Sequence, residues 1–246
     1  MVTTPEPLNP DPYARIAAVY DVEFRPANAD TLGYERRRIG ERLLVLGCGT
    51  GRVCRGLAAR EIVGLDRSAP MIQLAQARAS ASEVYVQGDM SAFSLGVFDE
   101  MIIPNGAFAF LSSRTARAAC LSACRAALAG GGSLTIDVPM PEFERWGERH
   151  HPETPAWEGE VDGRHVWRTR ETFRDPVAQR LELIDRYRDD SGWKATSALV
   201  LHLFSVDEMH WMLEANGFYA ESVWGDHTDG PIRAGSPRLL VRALPL

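Results

Sequence analysis

The stretch that most constrains this chain is "RLLVLGCGTGRV", residues 42–53. An apolar run, Leu43–Leu46, opens directly into Gly47, Gly49 and Gly51 at alternate positions. The run has the length and branching of a buried strand. Glycine permits positive φ and close backbone approach. A strand that ends in glycines and leads into a helix presents free backbone N–H groups there. Such a loop suits the polar end of a nucleotide-like ligand. "RVCRGLAAR" reads as the helix that follows.

The alternation then repeats. "EIVGLD" predicts a second strand, and "SAPMIQLAQARAS" a helix with Ser68 as N-cap and Pro70 in its first turn. "VYVQGD" and "FDEMIIPNG" carry the third and fourth strands. "SRTARAACLSACRAALA" predicts a helix that stops at Gly130, and "SLTIDVP" a fifth strand. Residues 13–40 read as helical segments broken near Pro26. After Pro141 the pattern changes. "MPEFERWGERHHPETPAWEGEVDG" shows little periodicity, and three alternating runs between residues 164 and 204 read as antiparallel strands. "SVDEMHWMLEANGF" is a helix opened by a Ser205/Glu208 capping box, before two last strands. The predicted fold class is α/β: a doubly wound, mostly parallel seven-stranded sheet (Rossmann-like) with a small antiparallel β insertion after the fifth strand.

Composition excludes several classes. At 246 residues and a net charge of -6 the chain has one sizeable core and no global basic field for nucleic acid. The expected partners include neither nucleic acid nor membrane. The N-terminus resembles no signal peptide, and no apolar run reaches the roughly 18 residues of a membrane span. The spacing of Cys48, Cys54, Cys120 and Cys124 fits no zinc pattern, and no histidine pair has metal spacing, so no metal is expected. A reducing, cytoplasmic setting fits unpaired cysteines.

Asp66 ends the second strand, 19 residues after Gly47. An acid there can accept hydrogen bonds from ribose hydroxyls, or cap the next helix. The glycine spacing is not the dinucleotide fingerprint, and no Walker lysine follows. "VLGCGTG", "GLDRSAPMIQLAQAR", "VQGDMSAFSL", "FDEMIIPNGAFAFL" and "LAGGGSLTIDVP" together resemble the successive motifs of class I S-adenosylmethionine-dependent methyltransferases, of the small-molecule type.

The resemblance implies S-adenosyl-L-methionine as cofactor and S-adenosyl-L-homocysteine as product. It implies that Gly47, Cys48, Gly49 and Gly51 approach the methionine and ribose. Asp66 would hold the ribose hydroxyls, Arg67 would lie beside the adenine, and Asp89 and Met90 would bind the adenine. Asn105 would face the sulfonium. Tyr13 and Tyr20 resemble the family's N-terminal lid, with Tyr20 toward cofactor and Tyr13 toward acceptor. The layout expected is a helical lid over 1–40, a cofactor core over 41–140, an insertion forming the acceptor pocket over 141–204, and 205–246 completing the sheet. One departure stands out: Val45 occupies the place where the family usually carries an acid.

The expected reaction is in-line attack by N or O of a small molecule, a natural-product or sugar/amine intermediate, on the sulfonium methyl. His202 and His151 are candidate bases. Phe108, Trp146 and Trp167 are candidate walls for the acceptor, with core packing as the competing role. Monomer or homodimer is expected. A nicotinamide-dependent oxidoreductase and a non-methylating ligand-binding protein remain the alternatives.

Overall fold

The computed structural model describes residues 11–24, 28–37 and 40–246. The first ten residues and the expected break near Pro26 lie outside them. Seven strands form one sheet: β1 (Arg42–Leu46), β2 (Glu61–Asp66), β3 (Glu83–Gln87), β4 (Phe98–Ile103), β5 (Leu128–Pro139), β10 (Phe218–Trp224) and β11 (Arg238–Pro245). Their order is β10-β11-β5-β4-β1-β2-β3, and β11 is antiparallel to both neighbours. A second sheet, β6 (His150–Val161), β7 (Arg164–Asp175), β8 (Arg180–Asp189) and β9 (Lys194–His202), is antiparallel throughout and follows β5 in the chain.

β1 shows why its sequence is apolar without alternation. Leu44 and Leu46 pack into the cluster built on α4 (Arg114–Ala127) and α5 (Val206–Ala215), while Leu43 and Val45 pack on the other side against Tyr34, Ile72 and Ala75. Those three belong to α2 (Asn28–Arg37) and α3 (Ala69–Ala77). A strand covered on both faces must be hydrophobic at every position. Cys120 and Cys124 lie one turn apart on the buried face of α4, and all four cysteines are buried and free. Val19 of helix α1 (Ala17–Glu23) and Ile16 just before it are buried against Val161, Val166 and Tyr187 of the second sheet.

Four local expectations are corrected. Residues 52–60 form only a 3₁₀ turn, Cys54–Gly56, and not a helix. Gly56 is a poor helix residue, and a Cβ there would stand 2.1 Å from the Thr31 methyl of α2. α2 thus packs where the helix would lie. β5 begins at Leu128, so the glycines belong to the strand and its bulge rather than to the helix end. Ser68 sits at the N-cap of α3 but its hydroxyl makes no capping bond. The insertion has four strands, because the aperiodic segment forms β6. That strand lies at a sheet edge and breaks register twice around Pro152 to Trp157, which accommodates its prolines. Among the described residues no helix is long and apolar enough to cross a membrane, and no cluster of metal-ligating residues occurs.

Candidate active site

The sheet order reverses at β1, between β4 and β2. Ligands of open α/β sheets bind at the carboxyl ends of strands at this point. A cleft there is lined by Gly47, Cys48, Gly49, Asp66, Arg67, Asp89, Met90 and Asn105, closed over by Tyr13 and Tyr20.

The glycines differ in purpose. Gly49 has φ +55° and nothing within 4 Å of where a Cβ would lie, so its backbone faces the open cleft. Gly51 is not in the wall: a Cβ there would stand 2.4 Å from the Tyr85 hydroxyl, so its absence makes room for core packing. Asp66 Oδ2 accepts the Gly49 N–H over 2.8 Å, and Oδ1 accepts the Ser68 N–H over 2.9 Å. It ties the glycine loop to the N-cap residue of α3 and lines the cleft at once. Burial raises its carboxyl above the ordinary value, against the pull of those two donors. Asp89 accepts the Ser91 N–H and hydroxyl, each over 2.7 Å, which holds its carboxyl below the usual range.

A second cavity, of about 410 Å³, lies between the N-terminal segment around α1, the rim of the main sheet and the inner face of β7–β9. The cross-strand pairs Leu181/Leu201 and Leu183/Leu199 form its apolar half. The next pair, Asp185/Ser197, begins its polar half. Tyr13, Tyr20, Arg52, Asn105 and Phe110 line both cavities, so the two meet at those five residues. Tyr13 stands edge-on to Tyr20 and to Phe110, with ring centroids 5.7 and 6.1 Å apart. Burial lifts both tyrosine hydroxyls, that of Tyr20 to about 12, so both stay neutral near pH 7.

Charged groups around the second cavity are paired. Arg168 bridges Glu23 at 2.8 Å and Asp185 at 3.3 Å, and Arg170 Nε reaches Asp185 at 2.7 Å. Tyr187 donates to Glu23 over 2.9 Å. Arg52 pairs with Asp30 at 2.5 Å, and Asn105 donates to the same carboxylate over 3.1 Å. Arg238 meets Asp137 at 2.7 Å. Asp137 also accepts the Tyr34 hydroxyl and, over 3.1 Å, the Asn105 N–H.

The remaining candidates lie elsewhere. His202 pairs with Glu208 at 2.8 Å, and His151 with Glu148 at 2.8 Å; neither lines the two cavities. Glu208 thus uses its side chain on His202, so Ser205 receives only the Glu208 N–H half of the expected box. Phe108 is fully buried, 5.6 Å from Phe204, and Phe110 stands in the wall instead. Trp167 lines a shallow outer depression with Trp157, and Trp146 lines neither cavity. The histidine in the second cavity is His227, whose Nε2 is 3.5 Å from Asp137 Oδ2. It sits in an irregular loop with no periodic signal. Asp30, Arg52 and Asp185 were likewise invisible as site residues, because each is recruited through pairing across distant elements.

Residues 43–132 match the family model described as "Methyltransferase domain". The chain carries a methyltransferase domain. The fold agrees over nearly the whole length. The CcbJ methyltransferase of Streptomyces caelestis superposes with a TM-score of 0.79 at 19% identity, covering 95% of this chain and 97% of that one. CalS10 of Micromonospora echinaspora, an amino pentose methyltransferase solved with S-adenosylmethionine, gives 0.67 at 24% identity over 97% and 99%. YqeM of Bacillus subtilis (strain 168) is 26% identical over 216 residues, 82% of this chain and 83% of that protein. The family match and a neighbour solved with S-adenosylmethionine support S-adenosylmethionine as the cofactor.

Proposed function

We propose that this methyltransferase moves a methyl group from S-adenosylmethionine to an N or O atom of an uncharged small molecule held in the second cavity. The observation that carries this reading is the shared wall, in which five residues border both cavities. The cofactor cleft fits its ligand on two counts: an open backbone at Gly49, and acids at the ends of β2 and β3. Gly47, Cys48 and Gly49 would take the methionine side, Asp66 the ribose, and Arg67, Asp89 and Met90 the adenine. When bound, the cofactor supplies an electrophilic methyl group.

The chain's own residues supply orientation and exclusion of water. Tyr13, Tyr20 and Phe110 close the junction with aromatic faces, which favour a neighbouring cation. Among the described residues the charges lining the second cavity are paired, so a neutral acceptor is favoured. The leucine pairs of β8 and β9 would hold its apolar part, and Ser197 and the Arg170–Asp185 pair its hydroxyl or amino groups. His227 would take the proton released. Burial holds its imidazole below the ordinary histidine value, so it is neutral at pH 7 and able to accept. An amino sugar, the acceptor class named for CalS10, has this chemistry.

The test is a screen of small amines and alcohols for S-adenosylhomocysteine release. Turnover confined to neutral, partly apolar amines or alcohols is expected. Turnover only with carboxylates or with nucleic acid would contradict the reading.

A further inference from the structure

The acid missing from β1 has a counterpart in the second cavity, where Asp30 pairs with Arg52 of the shared wall. Val45 is fully buried among Tyr34, Cys54 and Ile72, so β1 itself offers no acid beneath the glycine loop for a cationic amino group. The cofactor nevertheless ends in a zwitterion, an ammonium and a carboxylate joined to sulfur by a short methylene chain. The sulfur must stand where the two cavities meet, because its methyl has to reach the acceptor. The zwitterion is therefore tethered close to the five shared residues. Arg52 is the charged one among them, and its partner is Asp30.

The pair is built rather than incidental. Asp30 is 5% exposed. Its carboxylate accepts both Arg52 terminal nitrogens, at 3.2 and 2.5 Å, the Thr31 N–H at 2.7 Å and the Asn105 amide at 3.1 Å. Asn105 reaches it only because the residue adopts φ +53° at the end of β4, where its N–H is fixed by Asp137. Burial pushes the Asp30 carboxyl up, but Arg52 and the other donors outweigh it and keep it ionised. The pair thus presents one cation and one anion, held by α2 and by the glycine loop.

We propose that Asp30 and Arg52 recognise the amino-acid end of the cofactor, Asp30 taking the ammonium and Arg52 the carboxylate. Asp30, from α2, thereby does the work of the acid absent at Val45. The proposal rests on the cofactor assignment above. It also ties cofactor loading to α2, since the glycine loop alone lacks the anionic partner.

The experiment compares two ligands on the full chain by calorimetry: S-adenosylhomocysteine, and 5′-methylthioadenosine, which lacks the amino-acid end. Asp30→Asn is expected to weaken S-adenosylhomocysteine about tenfold or more while changing methylthioadenosine by less than about twofold. Arg52→Gln is expected to give the same split, and it stands alone if the Asp30 variant does not fold. Equal weakening of both ligands in the variants, or unchanged S-adenosylhomocysteine affinity, would overturn the clamp while leaving the cofactor assignment intact. A wild-type chain that binds neither ligand would overturn the assignment itself, and the clamp with it.

Discussion

Asp66 and Gly49 are joined by a 2.8 Å hydrogen bond that links the end of β2 to the glycine loop of β1. One carboxylate thereby shapes the loop and keeps lone pairs at the cleft. Charge-assisted hydrogen bonds are worth roughly 1.5–3 kcal/mol each. Asp66→Ala should weaken S-adenosylmethionine binding by about tenfold to a hundredfold. Unlike Asp30→Asn, it should weaken methylthioadenosine as well. Calorimetry on the folded variant checks both statements.

Asp21 fastens α1 to the core. It accepts the Thr50 hydroxyl, pairs with Arg55 at 3.3 Å and meets Arg78 beyond α3. Its side chain is only 13% exposed, so the contacts are partly shielded from solvent. Asp21→Ala should cost about 1–3 kcal/mol of α1 docking. The expected readouts are faster tryptic cleavage at Arg15 and cofactor affinity about tenfold lower. Wild-type cleavage rates would show that α1 is held without Asp21.

Restoring the family's usual acid should fail. Val45 is fully buried with apolar neighbours. Val45→Asp removes valine burial and places a charge where nothing pairs with it, at about 3 kcal/mol or more. The midpoint of thermal unfolding should fall by about 6 °C or more. A variant as stable as wild type, with tighter cofactor binding, would mean that the strand tolerates the acid and that its role was not taken over elsewhere.

His227 should shape the acid limb of stability. It faces Asp137 of β5, Arg238 of β11, and Asp30 and Arg37 of α2. Burial wins over the acids, so the folded chain holds the imidazole neutral below its ordinary value. The unfolded chain then binds the extra proton first. The stability brought by a neutral His227 is whole above about pH 6.5 and is lost as pH falls toward the depressed folded value. Denaturant titrations should show this loss in wild type and a flatter profile in His227→Gln. Identical profiles would refute the assignment.

The doubly wound core was legible because β1, β2 and β4 carry short apolar runs without polar alternation, punctuated by glycines and charged residues near their ends. The cleft was legible for the same reason: Asp66 and Asp89 close strands, and strand ends are visible in a sequence. What escaped depends on tertiary packing. β6 reads as a loop because prolines interrupt its alternation, and only its edge position permits them. The helix after β1 is replaced by a turn because α2 occupies its place through Gly56 and Thr31. Asp30, Arg52, Asp185 and His227 acquire their roles from partners between 15 and 90 positions away. No local pattern encodes such pairs.

The central claim is that the glycine loop, Asp66 and the lid form a site for S-adenosylmethionine. Calorimetric titration of the purified chain with S-adenosylmethionine, and separately with NAD, tests it most directly. The account predicts binding of the former in about the micromolar range, near -8 kcal/mol, and none of the latter. Binding of NAD alone would contradict it.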